Sequence, residues 1–156
     1  MIQLNNTSGQ RAVLKTQMSF TILGTSTHKP RLSNSIASYR FLMQYWNMDM
    51  IGVYESFKIL FLDCKHRVFV IYDLSKDAMN TMADKQPALL VSLPDVDFVY
   101  MIVAHNCPAG NPRPSQVDFT LVQKLERFRE EYDISVLDYL IINRQKYFSF
   151  ADRGLL

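Results

Sequence analysis

Apolar positions along the chain switch between helical and extended spacing, and this pattern predicts where helices and strands lie. A helix is predicted from Ser33 to Trp46, because apolar residues recur every three or four positions on a face suited to packing on a sheet. These positions are Ile36, Tyr39, Leu42, Met43 and Trp46. A second helix is predicted from Ser115 to about Glu131, with its apolar stripe at Val117, Leu121, Val122, Leu125 and Phe128.

Extended segments surround these helices and predict a sheet. Phe57 to Leu62 and Val68 to Tyr72 are joined by a polar loop of hairpin length, as are Ile134 to Ile142 and Lys146 to Phe150. The run from Asp97 to Ala104 is almost wholly apolar, as expected of a buried strand. Strands and helices alternate irregularly, so the predicted fold class is α/β, with a mixed sheet flanked by helices.

The remaining segments divide the chain less clearly. We predict an N-terminal appendage over residues 1–32, with one possible strand from Met18 to Leu23, and a single domain over residues 33–156. The pattern from Ser75 to Ala83 fits a loop or a helix equally well. A short helix could run from Pro87 to Leu93, where the next proline would stop it.

Composition narrows the class of protein. Of the 156 residues 48% are hydrophobic and 21% charged, which is typical of one globular core. The longest apolar run is far shorter than the ~20 residues that cross a bilayer, and Met1 to Gln10 lacks the features of a secretory signal. Two cysteines in unrelated contexts favour a reducing compartment, so we expect a cytoplasmic protein without membrane contact.

Charge gives only weak support for nucleic-acid binding. The formal net charge is +2, and the basic residues are dispersed rather than gathered on one face. The loosest cluster is Arg11, Lys15, Lys29, Arg31 and Arg40. Nucleic-acid binding is therefore possible but only weakly supported by charge.

One stretch combines metal-binding side chains with elements that could bring them together. His105 follows the apolar strand, and alternation along an extended chain would place Cys107 on the same side. The helix beginning at Ser115 carries Asp118 in its first turn. His, Cys and carboxylate groups all bind zinc, and three protein ligands with one open position are typical of a catalytic zinc. Ser115 and Asp118 also fit a helix-start box, so both interpretations stay open.

The same stretch resembles the zinc motif of the RadC family of JAMM (MPN) metalloproteins. That family carries His-Asn-His-Pro-Ser-Gly followed by Pro-Ser-x-x-Asp, and this chain differs from the motif only at Cys107 and Ala109. The similarity continues upstream through the segment from Glu55 to Leu62 and downstream to Leu156, and it covers residues 50–156. The chain is similar in particular to RadC-like proteins of bacterial mobile elements.

The resemblance implies a JAMM/MPN architecture, which is cytidine-deaminase-like, and zinc-dependent hydrolysis of peptide or isopeptide bonds. It implies His105 and Asp118 as zinc ligands, with Cys107 in the place of the second His. Glu55 would be the general base, and Ser115 would help to stabilise the oxyanion. In such sites zinc acidifies a water, the carboxylate takes its proton and the hydroxyl stabilises the tetrahedral intermediate.

Departures from the family pattern predict that zinc binds weakly or not at all and that hydrolysis is weak or lost. Besides Cys107, the chain has Ser75-Lys76-Asp77-Ala78 where the family has Ser-Thr-Gly-Gly, and Tyr139 where it commonly has His. The alternative function is a non-catalytic interaction module or a DNA-repair-associated module of a mobile element. Glu55 could instead face solvent, and Cys107 could be a small buried hydrophobe. The sequence therefore leaves open whether the domain is an enzyme.

Overall fold

The computed structural model describes residues 10–14, 18–23, 29–85 and 98–156. Within these ranges the chain forms seven strands and three helices. In order they are β1 (Gln10–Leu14), β2 (Met18–Ile22), α1 (Ser35–Tyr45), β3 (Ser56–Leu62), β4 (Val68–Ser75), α2 (Lys76–Lys85), β5 (Tyr100–Asn106), α3 (Gln116–Tyr132), β6 (Ser135–Ile142) and β7 (Tyr147–Ser149).

The seven strands of the described chain form one mixed sheet, in the order β1-β2-β4-β3-β5-β6-β7. Every neighbouring pair is antiparallel except β5 and β6, which run parallel. Parallel strands need a crossover connection, and α3 provides it. A loop at the carboxyl end of β5 therefore leads into the start of α3.

Helices cover both faces of the sheet. On one face, Phe41 and Leu42 of α1 pack with Trp46 and Ile51 against alternate residues of the central strands, including Leu60. On the other face, α2 and α3 bury a second cluster against the intervening residues. Its members include Met79, Met82, Leu121, Leu125, Phe128, Ile59, Val103 and Ile141. The predicted mixed α/β sheet flanked by helices is confirmed.

In the first turn of both α1 and α3 a polar side chain points towards the core. The neighbouring apolar residue, predicted to be buried, is therefore exposed. Ile36 is 49% exposed because Ser35 takes the inward position, where its hydroxyl donates to Asp152 Oδ2 at 2.6 Å. Val117 is 61% exposed because Asp118 takes the inward position of the first turn of α3. The remaining predicted stripe positions of α3 are buried.

The segments that the pattern left ambiguous have mixed outcomes. Residues 76–85 are helical, since the apolar side chains of α2 pack on the core cluster beneath α3. The predicted strand near residue 18 is confirmed as β2, which pairs with β4 in register Phe20 to Tyr72. The N-terminal segment thus contributes strands to the sheet, while the domain boundary near residue 32 stays a prediction. The short helix predicted from Pro87 to Leu93 lies outside the described residues.

Two further features bear on stability. Lys58 of β3 pairs with Asp73 of β4 on the α1 face, and its ammonium lies 5.0 Å from the ring centre of Trp46. Asp138 of β6 is buried and accepts a hydrogen bond from Ser149 Oγ at 2.6 Å.

None of the described helices is long and apolar enough to cross a membrane.

Candidate metal centre

His105 lies inside β5, which corrects the prediction that it follows the strand. The strand extends to Asn106 because the Asn106 side chain is held at both ends. Its Oδ1 accepts from the backbone amide of Ser56 at 2.7 Å, and its Nδ2 donates to the carbonyls of Ile51 and Tyr54, each at 2.7 Å. These bonds fix the segment before β3, which carries Glu55, beside the end of β5.

The imidazole of His105 is buried and lies between two carboxylates. Its Nε2 is 2.9 Å from Asp118 Oδ1, and its Nδ1 is 3.6 Å from Glu55 Oε1. The ring of Phe57 stacks on it with centroids 5.1 Å apart. Although Asp118 Oδ1 lies beside it, Nε2 makes no hydrogen bond of ordinary geometry with the described residues. The nitrogen is therefore a buried donor or acceptor that remains unsatisfied.

Asp118 uses its two oxygens differently. Oδ2 accepts from the Ser115 amide at 2.7 Å and from the Ser115 hydroxyl at 2.8 Å, which is the carboxylate half of a capping box. Oδ1 faces His105. Burial raises the pKa of Asp118, but the contact with His105 and the hydrogen bonds from Ser115 outweigh it and lower the pKa to about 2. The carboxylate is ionised at neutral pH.

Tyr139 of β6 completes the surroundings of Asp118. Its side chain is fully buried, and its hydroxyl donates to Asp118 Oδ1 at 2.9 Å. The ring lies edge-on to Phe150, with centroids 5.1 Å apart, and 5.7 Å from the ring of His105. Burial and the neighbouring Asp118 charge raise the pKa of Tyr139 above its ordinary value of 10.0. The phenol therefore stays protonated and acts as a donor to the carboxylate.

Glu55 lies on the same side of the sheet as His105, at the rim of the site. It is partly exposed, and its second oxygen accepts a hydrogen bond from Lys76 Nζ at 3.3 Å. Lys76 belongs to the segment that departs from the family pattern. An ammonium group therefore holds one oxygen of Glu55 while the other faces the imidazole.

Cys107 lies two residues beyond His105, just after β5. It packs against the core cluster on the α3 side, as the strand alternation predicts, and its Sγ lies 3.9 Å from Asn111 O. It also lines a separate cleft of about 350 Å³ with Val53 and Arg144. Within the described ranges, no three His, Cys, Asp or Glu side chains are grouped so that they could hold a metal ion. The structure places Glu55 and Asp118 on either side of the His105 imidazole.

The residues present fit a catalytic zinc only in part. The unsatisfied Nε2 of His105 and the adjacent Oδ1 of Asp118 are two suitable ligand atoms. A catalytic zinc takes three protein ligands and an open position, and Cys107 does not supply the third in this arrangement.

Two residues were missed as members of the site. Tyr139 stood out in the sequence only as a departure from the family pattern, although it contacts the carboxylate directly. Asn106 orients the segment that carries Glu55. The signal for Asn106 was an amide at the end of an otherwise apolar strand, since a polar side chain on a buried strand needs partners.

The chain is similar to one group of known proteins. A family model described as a RadC-like JAB domain matches residues 32–155. A UPF0758 protein of Herminiimonas arsenicoxydans is 33% identical over 114 residues, which are 72% of this chain and 51% of that protein. A UPF0758 protein of Vibrio cholerae is 34% identical over 114 residues, 72% of each chain. A third, of Shewanella baltica, is 35% identical over 102 residues, 65% of this chain and 45% of that protein. The chain thus matches about half the length of two of these relatives.

Proposed function

Because the chain belongs to the family of RadC-like JAB domains, we propose that it is a JAB domain of zinc-dependent peptide or isopeptide hydrolase type whose activity is weak or lost. The proposed ligand set is altered to His105, Cys107 and Asp118. Its substrate or partner is a protein or peptide, and its compartment is the reducing cytoplasm, where its two free cysteines stay reduced.

One observation carries this proposal. His105 Nε2 and Asp118 Oδ1 lie side by side, while the thiol of Cys107 takes no part in a group with them. A thiolate ends one bond beyond Cβ, whereas an imidazole nitrogen reaches several bonds further. The longer zinc–sulfur bond, ~2.3 Å against ~2.0 to ~2.1 Å for zinc–nitrogen, recovers only a small part of that difference. Zinc bound at His105 and Asp118 would therefore lack a firm third ligand.

Electrostatics supports the same conclusion. If the backbone shifted so that Cys107 did coordinate, two anionic ligands would cancel the charge of the ion. A set of two His and one Asp leaves the ion net positive, and that charge is what acidifies the bound water. The altered set is therefore less suited to generating a nucleophile at neutral pH.

The proposed catalytic groups are also engaged elsewhere. The hydroxyl of Ser115 donates to Asp118 Oδ2 and accepts from the Asp118 amide at 3.4 Å, so it serves the helix start. Glu55 is shared between His105 and Lys76. As oxyanion stabiliser and general base, Ser115 and Glu55 would each have to leave an existing partner, which favours weak activity.

Zinc titration of the purified, reduced chain tests the proposal. We expect native protein to bind zinc weakly and the Cys107→His variant to bind it more tightly, measured by competition with a chromophoric chelator. The matched control is Cys64→His, the same substitution at an exposed cysteine, which should leave zinc affinity unchanged. Native binding equal to or tighter than that of Cys107→His, or robust peptidase activity abolished by Glu55→Gln, would show a working enzyme.

A second function, a non-catalytic module that binds a protein partner, is favoured by apolar side chains exposed beside the site. Val53 and Tyr54 precede Glu55 and are 65% and 52% exposed, and Val117 beside Asp118 is 61% exposed. Contiguous exposed apolar surface commonly marks interaction sites. Under this alternative, Val53→Ser with Val117→Ser should abolish partner binding while leaving zinc affinity unchanged.

A further inference from the structure

We infer that Tyr139 is a positioning residue that holds Asp118 against His105 and so opposes the entry of a metal ion between them. The inference rests on the proposed function, because it concerns the same two ligand atoms. It assigns the weak metal binding to a second residue besides Cys107.

The hydrogen bonds around Asp118 leave its carboxylate little freedom. Oδ2 is held by the amide and hydroxyl of Ser115, and Oδ1 is held by the hydroxyl of Tyr139. Tyr139 is fully buried and its ring rests against Phe150, so its hydroxyl cannot withdraw easily. Oδ1 therefore cannot move from its present position without changing the hydrogen bond from Tyr139.

The two ligand atoms lie closer together than a tetrahedral zinc ion would hold them. Nε2 of His105 and Oδ1 of Asp118 are 2.9 Å apart. Two ligand atoms at tetrahedral angles around zinc would lie about 3.3 Å apart, given zinc–ligand bonds of ~2.0 to ~2.1 Å. Metal entry therefore requires the imidazole and the carboxylate to separate, and the Tyr139 hydroxyl opposes that separation. The unsatisfied Nε2 is the atom that would gain from it.

Removing the hydroxyl should consequently raise zinc affinity. In the Tyr139→Phe variant the ring contacts with His105 and Phe150 are kept, and Oδ1 loses its donor. In this variant zinc binding no longer has to break a hydrogen bond to the charged Asp118 carboxylate. Such a bond is strong enough that its absence should raise zinc affinity roughly tenfold or more. The matched control is Tyr39→Phe, which removes a phenol hydroxyl that donates to Asn143 O at 3.0 Å, outside this site.

The experiment is zinc titration of the full reduced chain by chelator competition, with folding checked by circular dichroism. Tyr139→Phe and Tyr139→Met both remove the hydroxyl, so either folded variant decides the question. We expect tighter zinc binding in both, no change in Tyr39→Phe, and loss of the gain when Asp118→Asn is added. Unchanged or weaker binding would overturn the inference and show that the phenol supports or joins the metal site. Tight zinc binding by the native chain would instead overturn the proposed function, so the two failures are distinguishable.

Discussion

Ser115 and Asp118 bond to each other at the start of α3 through one carboxylate oxygen, which leaves the other oxygen turned towards His105. The sequence supports two interpretations of Asp118, as part of the helix cap and as a metal-facing carboxylate. The geometry accommodates both, because Oδ2 serves the cap while Oδ1 faces the site. The cap therefore also orients a candidate ligand.

Replacing Ser115 by Ala should weaken the start of α3. The variant loses the hydroxyl that accepts from the Asp118 amide and donates to its carboxylate, and loss of such a cap costs about 1 kcal/mol of unfolding free energy. Urea unfolding measures this directly. Ser33→Ala, at an exposed serine just before the α1 cap, should change stability by much less. An equal effect of the two substitutions would contradict the role of the cap.

Asp118 should make the stability of the fold depend on acid pH. Its pKa falls from 3.8 to about 2 on folding, so its contribution is fully present above pH 4 and is lost as pH falls from about 4 to about 2. The contribution is on the order of 2 kcal/mol. The difference in unfolding free energy between native protein and Asp118→Asn should shrink by about that amount over this range. A difference that stays constant with pH would show that the carboxylate is not stabilised by its partners.

Loss of the Ser149 hydroxyl should destabilise the end of the chain. Ser149 Oγ donates to the buried Asp138 and accepts from the Asp152 amide at 3.0 Å. Burial already raises the pKa of Asp138 against the hydrogen bonds it accepts, and Ser149→Ala removes one of these bonds. We expect a loss of about 1 to 3 kcal/mol by urea unfolding. Thr120→Ala, which removes an exposed helical hydroxyl, is the control and should have little effect.

The ion pair of Lys58 and Asp73 should matter far more than a surface pair. Asp73→Ala leaves the buried ammonium without this carboxylate, and we expect a loss of roughly 2 to 3 kcal/mol. This is less than for a fully buried pair, since the Asp73 side chain is 37% exposed. Asp84→Ala, which breaks the exposed pair with Lys124, should cost less than about 1 kcal/mol. Equal losses would show that water already screens the Lys58 pair.

Local pattern was sufficient for much of the fold. The two hairpins, α1 and α3 follow from periodicity and turn chemistry, which act over a few residues. The helix α2 could not be assigned, because its stability comes from Met79 and Met82 packing on distant strands. The same limit applies to Ile36 and Val117, whose side chains point to solvent. They do so because the adjacent residues, Ser35 and Asp118, turn inward to polar partners that are distant in sequence.

The site was predictable only as far as its residue types. Residue types and spacing identified His105 and Asp118, family resemblance added Glu55, and the structure places both carboxylates beside the imidazole. The position of Cys107 and the contact made by Tyr139 depend on the path of the loop after β5 and on the register of β6. Neither can be read from spacing along the chain, because both are set by pairing with remote strands.

The parallel pairing of β5 and β6 affects when the site can form as the chain folds. The β3–β4 hairpin closes a short loop, whereas β5 and β6 can meet only after the chain between them, with α3, has folded back. His105 and Tyr139 lie on these two strands, so their contact with Asp118 depends on a non-local pairing. We therefore expect the tyrosine environment seen by near-ultraviolet circular dichroism to recover later in refolding than helical content, which makes this contact a marker of the completed native state.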